Sequence, residues 1–182
     1  MMLCGVALSG CLGEALTFRA VTAGISAAAH GVFSDPDVNL KEKNYAAADL
    51  LVSKMSGDVS VHDIIAVKPL EEADQPGITS AFGTSIPEGV GLRFSELGYK
   101  VWLHDVATQG HEDLYPRPPE GMKEHFRLGG RYMVRKDHVD VYLRVVDVKT
   151  GAAVAYFDYQ MPLSLELKKL AKTEARIFRA PQ

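Results

Sequence analysis

The sequence predicts an α+β protein in which two helices pack on a mixed sheet that ends in a three-stranded antiparallel meander, followed by a C-terminal helix. Two segments place apolar residues at helical spacing, and three consecutive segments near the C-terminus alternate as half-buried strands do. A short, continuous apolar run between the two helical segments is typical of a strand that is covered on both faces. The chain has 182 residues, of which 47% are hydrophobic, and this is enough for one core and one domain.

The first helix is predicted to begin at Asn39, because Asn39 and Glu42 are spaced as a capping box. A single apolar stripe follows at helical spacing, and Ser-Gly-Asp at residues 56–58 ends the helix. The stripe consists of Tyr45, Ala48, Leu51, Val52 and Met55.

The first strand is predicted within residues 61–70, where residues 64–67 form the continuous apolar run and Pro69 ends the pairing. Residues 71–77 are polar and acidic and predict a loop.

The second helix is predicted to begin at Ser85, which with Glu88 forms a second capping box and places Pro87 in the first turn. Gly89 and Gly91 are unfavourable in a helix, and we interpret them as positions where the helix lies close to the sheet. Its apolar face consists of Ile86, Val90, Phe94 and Leu97, and Gly98 caps its end.

A strand over residues 99–104 and a long, proline-rich connection over residues 105–125 follow the second helix. The meander is predicted over residues 128–135, 139–147 and 152–161, with turns at residues 136–138 and 149–151. In its middle strand Val139, Val141, Leu143 and Val145 face one side, whereas Asp140, Tyr142 and Arg144 face the other.

The apolar N-terminus ends in Leu8-Ser9-Gly10-Cys11, which resembles the lipobox of bacterial lipoproteins. We therefore expect a signal peptide over residues 1–10, lipidation of Cys11, a lipid anchor and tether over residues 11–38, and a single α+β domain over residues 39–182. Cys4 would be lost with the signal, and Leu12 fits sorting to the outer membrane. The sequence contains no run of about 18 apolar residues, so it predicts no transmembrane helix.

The order of these elements resembles the FlgO family of bacterial outer-membrane lipoproteins and, more distantly, the α/β domain of CsgG and the N-terminal domain of TolB. The resemblance covers roughly residues 42–160. It implies a non-enzymatic lipoprotein that is associated with the flagellum, and no catalytic residues. The residues that carry it are Asn44-Tyr45-Ala46-Ala47 with Leu50-Leu51, residues 65–69, residues 79–83, Leu97-Gly98-Tyr99, Gly129-Gly130-Arg131-Tyr132, and Leu143-Arg144-Val145-Val146-Asp147 with Thr150-Gly151.

Composition and motifs argue against several classes of function. A net charge of −3 gives no electrostatic reason to expect nucleic-acid binding. The sequence holds no Gly-x-Ser-x-Gly elbow, Walker loop or His-Glu-x-x-His motif. We interpret His62 and Asp63, which precede a strand, as a turn. We therefore expect no enzyme, no catalytic residue and no cofactor.

The densest group of possible metal ligands consists of His104, Asp105, His111, Glu112 and Asp113. Two ligands on a helix would be four residues apart, and a catalytic zinc needs three rigid ligands. This group lacks that spacing, so we predict a solvated loop and no metal. The alternative function is a periplasmic ligand-binding or metal-dependent hydrolytic module that uses this loop.

Two segments are candidates for contact with partners. The basic helix over residues 167–179 is expected to dock its leucines on the sheet with its lysines in water, and the alternative is contact with anionic lipid. Leu114, Tyr115 and the neighbouring prolines are candidates for a protein partner, because rigid extended segments lose little entropy on binding. The expected function is to assist an envelope structure, such as the flagellum, from the periplasmic side of the outer membrane. The expected partners are envelope or flagellar proteins, and a second copy of the chain is a further candidate.

Overall fold

A computed structural model describes residues 31–55, 57–77, 80–103 and 121–171 of the chain. Residues 31–34 form a helical turn. The helices and strands that follow are α1 (Leu40–Met55), β1 (Ile64–Val67), β2 (Glu71–Glu72), α2 (Ala81–Glu96), β3 (Lys100–Leu103), β4 (Phe126–Val134), β5 (His138–Asp147), β6 (Ala153–Pro162) and α3 (Leu165–Ala171).

The strands form one mixed sheet in the order β3-β1-β4-β5-β6. Strands β3, β1 and β4 are parallel, and β4, β5 and β6 form an antiparallel meander. The short strand β2 pairs in parallel with β4, farther along β4 than β1 does. The predicted α+β class, with a mixed sheet, a meander at one side and a C-terminal helix, is confirmed.

The core lies between the sheet and the helices on one of its faces. Strand β5 directs Val139, Val141, Leu143 and Val145 into this layer, as its alternation predicts. All four residues of β1 are buried, which confirms that both of its faces are covered. The helices contribute Ala47, Leu51, Met55, Phe82, Ile86, Val90 and Phe94, which are fully buried.

Helix α1 starts as predicted. The Asn39 side chain accepts a hydrogen bond from the backbone N–H of Glu42 at 2.9 Å and donates to the Glu42 carboxylate at 3.0 Å. The Asn39 side chain thereby satisfies one of the free backbone N–H groups of the first turn, and the bond to the Glu42 carboxylate holds it in place.

The start of α2 differs from the prediction. The helix begins at Ala81, and its N-cap is Ser80, whose hydroxyl accepts from the N–H of Gly83 at 3.1 Å. Ser85 therefore lies inside the helix, where its hydroxyl donates to the carbonyl of Ala81 at 2.8 Å. The predicted capping box of Ser85 and Glu88 was wrong, because both Ser80 and Ser85 have the chemistry of a cap and tertiary contacts select the earlier one.

Pro87 consequently lies in the interior of α2 rather than in its first turn. A proline there has no N–H to donate to the carbonyl four residues earlier, which belongs to Gly83. That carbonyl accepts instead from the backbone N–H of Leu70 at 2.8 Å. The usual penalty of an interior proline is thus offset by a tertiary hydrogen bond.

The two central glycines of α2 have different neighbours. A Cβ on Gly91 would lie 2.8 Å from Cγ2 of Val67 on β1, so close packing on the sheet is confirmed there. A Cβ on Gly89 would lie 2.5 Å from Nδ2 of Asn44, so this glycine instead lets α1 approach α2. The Asn44 amide uses the approach to donate to the carbonyl of Ser85 at 3.2 Å.

The packed domain begins before residue 39. Phe33 is buried, and its ring centroid lies 4.3 Å from that of Tyr159 and 5.3 Å from that of Phe157 on β6. Residues 31–38 thus belong to the domain, and any tether ends earlier than we expected from the sequence.

Strand boundaries and loops also differ in detail. Strand β1 covers only residues 64–67 of the predicted range, and residues 61–63 form the turn expected at His62 and Asp63, in which the N–H of Asp63 donates to the carbonyl of Ser60 at 2.9 Å. The predicted acidic loop over residues 71–77 contains β2.

The first part of the C-terminal basic helix docks as predicted. Leu167 is buried, Leu163 and Leu170 pack against the core, and Lys168 and Lys169 are exposed. Residues 172–179 lie outside the described part of the chain.

Two buried tyrosines give a matched test of this core. The Tyr132 hydroxyl donates to Ser80 at 2.8 Å, whereas the buried Tyr159 hydroxyl has no hydrogen-bond partner among the described residues. Tyr132→Phe should lower the free energy of unfolding by about 1 kcal/mol, because it removes a satisfied bond and leaves Ser80 with one partner fewer. Tyr159→Phe should leave it unchanged or raise it by up to about 1 kcal/mol, because an unsatisfied polar group is removed. Urea denaturation measures both, and equal losses in the two variants would contradict the hydrogen-bond assignment.

Candidate functional site: the open face of the sheet

The face of the sheet that points away from α1 and α2 carries a set of arginine, tyrosine and methionine side chains. Over strands β4, β5 and β6 we call it the open face, because none of the described helices packs on it there. Two rows of register partners define its centre: Arg131, Tyr142 and Asp158 form one, and Gly129, Arg144 and Tyr156 form the other.

A shallow cavity of about 290 Å³ lies on the open face beside β2. Strand β4 contributes two of its longer side chains, strand β5 contributes two more, and the residue after β2 forms one wall. The lining residues are Ala73, Gly130, Arg131, Met133, Tyr142 and Arg144. We call this cavity the Arg131 groove.

Gly130 shapes the floor of the groove. Its φ is +152°, in the region that favours glycine, and a Cβ there would lie 1.8 Å from the backbone oxygen of Tyr142. No side-chain movement can relieve such a contact, because the obstacle is the backbone of the neighbouring strand. Only glycine at this position lets β4 and β5 approach as they do.

Arg144 is held in place from several sides. Its guanidinium forms an ion pair with Asp158 across the strand pair and donates to its neighbour's carbonyl, that of Leu143, at 2.8 Å. It also lies 5.5 Å from the centroid of the Tyr156 ring. These contacts fix the side chain as a rigid part of the groove wall.

Arg131 differs from the other arginines of the open face. Arg127 pairs with Glu124, Arg135 pairs with Asp140 at 3.1 Å, and Arg144 pairs with Asp158. Arg131 is exposed, and it makes no ion pair or side-chain hydrogen bond with any described residue. Among the described residues of this face, it is the arginine whose charge is not paired.

At one end of the open face, Asp140 is buried yet fully satisfied. Its carboxylate accepts from Arg135 Nε at 3.1 Å and from Gln160 Nε2 at 2.8 Å, and His138 lies 3.4 Å away. On the adjacent turn, a hydrogen bond from the His138 ring lowers the pKa of the Asp137 carboxyl. This cluster fixes the β4–β5 hairpin, and the buried Asp140 carboxylate is already used by Arg135 and Gln160.

A second polar cluster joins the outer sides of α1 and α2. The Tyr45 hydroxyl donates to Glu96 at 2.6 Å, and Arg93 bonds both Glu96, at 3.0 Å, and Asp49, at 2.9 Å. The bond to Tyr45, and then that to Arg93, lowers the pKa of Glu96, whereas the same bond raises the pKa of Tyr45. A shallow cavity of about 440 Å³ adjoins this cluster, and Asp49, the cluster residue with a charged side chain that lines it, is already paired with Arg93.

The site residues expected from the sequence fall mostly outside the described residues. These are Cys11, the group formed by His104, Asp105, His111, Glu112 and Asp113, and the segment with Leu114 and Tyr115.

His62 and Asp63 lie in the predicted turn. The Asp63 carboxylate accepts from the N–H of Ser60 at 2.8 Å, and the N–H of His62 donates to the Ser60 hydroxyl at 3.2 Å. Both residues therefore serve the turn, as expected.

The described residues include no cluster of three or more histidine, cysteine or acidic side chains placed to hold a metal ion. No helix in the described ranges is long and apolar enough to cross a membrane.

The Arg131 groove was not predicted as a site from the sequence. Strand alternation does place Tyr142 and Arg144 on the face away from the core, and this signal was available. The sequence did not predict that β2 forms a wall beside Arg131, because a two-residue strand is too short to show an alternation of apolar and polar residues.

The described residues form an α+β fold with a mixed sheet, helices packed on one of its faces and a polar–aromatic open face over β4, β5 and β6. Comparison with protein-family models, with curated proteins and with solved structures finds no match to it.

Neighbouring glycines on β4 provide a test of the groove's geometry. Gly130→Ala should lower the free energy of unfolding by about 3 kcal/mol or more, because its Cβ meets backbone and its φ is positive. Gly129→Ala is the matched control, since its Cβ would lie 3.8 Å from Cβ of Lys68, an ordinary contact. Thermal and urea denaturation measure both, and a well-tolerated Gly130→Ala would contradict the described strand pairing.

The Tyr45–Glu96 bond predicts a pH effect. The folded pKa of Glu96 lies below the unfolded one, so the bond stabilises the fold above the unfolded pKa of about 4.3 and is lost as the pH falls below that range. In an NMR titration, Tyr45→Phe should raise the pKa of Glu96 towards its ordinary value, and Arg93 should retain part of the shift. Tyr156→Phe, on the other side of the sheet, should leave it unchanged. A Glu96 titration that is identical in wild type and Tyr45→Phe would show that the bond does not form in solution.

Proposed function

We propose that this protein is a lipid-anchored, non-enzymatic lipoprotein that assists the assembly or stability of a bacterial envelope structure, such as the flagellum, from the periplasmic side of the outer membrane. The observation that carries the proposal is the sequence Leu8-Ser9-Gly10-Cys11 at the end of an apolar run. Small residues before a cysteine suit cleavage by a signal peptidase and acylation of the thiol.

The fold supports this proposal in two ways. Phe33 already packs on β6, so no more than about twenty residues lie between Cys11 and the packed domain. A membrane-bound domain also needs a surface for its partner, and the open face offers tyrosine, methionine and arginine side chains, which are enriched at protein interfaces.

Stable anchoring requires more than one acyl chain, because a single chain holds a protein only marginally. Mass spectrometry of the native N-terminus should therefore find a chain that begins at Cys11 and carries several acyl groups. In Cys11→Ser, the lipid should be absent and the protein should leave the membrane fraction. Cys4→Ser is the matched control, since Cys4 lies within the predicted signal, and it should leave lipidation and fractionation unchanged.

Two results would contradict the proposal. One is a native protein without lipid on Cys11, which would remove the anchor. The other is a stoichiometric zinc ion that disappears when His104 and His111 are replaced by alanine, which would favour the metal-dependent alternative. A deletion strain tests the role itself, and we expect impaired motility or envelope integrity.

A further inference from the structure

We propose that the Arg131 groove docks an acidic segment of a partner polypeptide, with a partner carboxylate paired to Arg131 and an adjacent apolar side chain on the tyrosines of the open face. This inference deepens the proposed function by naming the chemistry of the partner. It rests on the proposed function for the location of that partner in the bacterial envelope. The binding step itself does not depend on the anchor.

The distribution of charge points to an acidic group. Three arginines of the open face each have a carboxylate of their own within the protein, and Arg131 does not among the described residues. An arginine that lines a cavity presents a planar fork of donors that matches the two oxygens of a carboxylate. The neighbouring Arg144 already pairs with Asp158, so it does not compete with Arg131 for a partner's carboxylate.

The shape of the groove points to a polypeptide rather than to a small molecule. The groove is open to the surface, and its volume of about 290 Å³ lies at the lower end of the range of small-molecule pockets, so it would leave one side of a small molecule in water. It therefore fits a side chain of a segment that continues along the sheet. The continuation is available, because Tyr156 is 58% exposed on the edge strand beside the groove.

The walls of the groove are rigid before any partner binds. Arg144 is fixed by Asp158 and by Tyr156, and Gly130 fixes the approach of β4 to β5. A binding surface that is ordered in advance loses less entropy on association. Arg131 is then the part of the site that gains a partner.

The test uses the full chain as purified from its native source in detergent micelles, and two fluorescent peptides. One peptide contains Asp, Glu and Phe between Gly spacers, and the other has Asn and Gln in place of Asp and Glu. In fluorescence anisotropy at low salt, the acidic peptide should bind and the neutral one should not. Added salt should weaken the binding, because the site is exposed.

Substitutions then locate the binding site. Arg131→Gln should weaken binding of the acidic peptide about tenfold or more, and Arg131→Lys should weaken it less, because lysine keeps the charge but lacks the fork. Lys149→Gln makes the same charge change in the β5–β6 turn and should leave the affinity unchanged. Glu71→Gln, at the register partner of Arg131, should not weaken it. Arg131 is exposed, so an unchanged melting curve is expected and confirms that the variant folds.

Several results would overturn the proposal. Equal binding of the two peptides would do so, as would an Arg131→Gln variant that binds like wild type. Inorganic phosphate and phosphatidylglycerol vesicles are tested in parallel, and an Arg131-dependent interaction with either, without binding of the acidic peptide, would also overturn it. Absence of lipid on Cys11 together with intact peptide binding would contradict the proposed function alone. Lipid on Cys11 without binding of the acidic peptide would contradict only this inference.

Discussion

The backbone carbonyl of Gly83 is the acceptor on which the arrangement of α2 against the sheet depends. Pro87 denies it the usual donor in the helix, and Leu70 supplies an N–H from the segment between β1 and β2 at 2.8 Å. The approach is possible because Gly83 has no Cβ, which would lie 2.5 Å from the carbonyl oxygen of Leu70. Neither Pro87 nor Gly83 would be favourable in the helix without the other. Together they join helix and sheet by a backbone hydrogen bond that is buried and cannot shift register without loss of a partner.

That junction extends to the open face. Ser80, at the start of α2, accepts from the Gly83 N–H and from the Tyr132 hydroxyl, so it ties the helix terminus to β4. The chain then continues from Leu70 into β2, whose register partners are Arg131 and Tyr132, and the N–H of Ala73 donates to the carbonyl of Tyr132 at 2.8 Å. The wall of the Arg131 groove is therefore positioned by a contact on the opposite side of the sheet.

The sequence predicts the parts of this fold that repeat a period. The alternation of Val139 to Val145 predicted which face of β5 is buried, and the apolar run over residues 64–67 predicted a strand covered on both faces. It did not predict the start of α2, since two serines had the chemistry of a cap and a tertiary bond to Tyr132 selects the earlier one. The sequence did not predict the Arg131 groove either, because the groove also depends on tertiary contacts. Its wall depends on a two-residue strand, which is placed by Leu70 and not by any local pattern.

The position of Phe33 relates the two proposals to each other. Phe33 packs on Phe157 and Tyr159, whose side chains lie on the helix-facing side of β6, whereas Tyr156 and Asp158 alternate to the open face. A chain that arrives from Cys11 thus joins the domain on the side away from the Arg131 groove. Nineteen residues lie between Cys11 and Gly31, and at full extension the Cα atoms of these two residues are at most about 70 Å apart. On the proposed function, the anchor limits how far the domain can reach, and Phe33 enters the core on the side opposite to the open face.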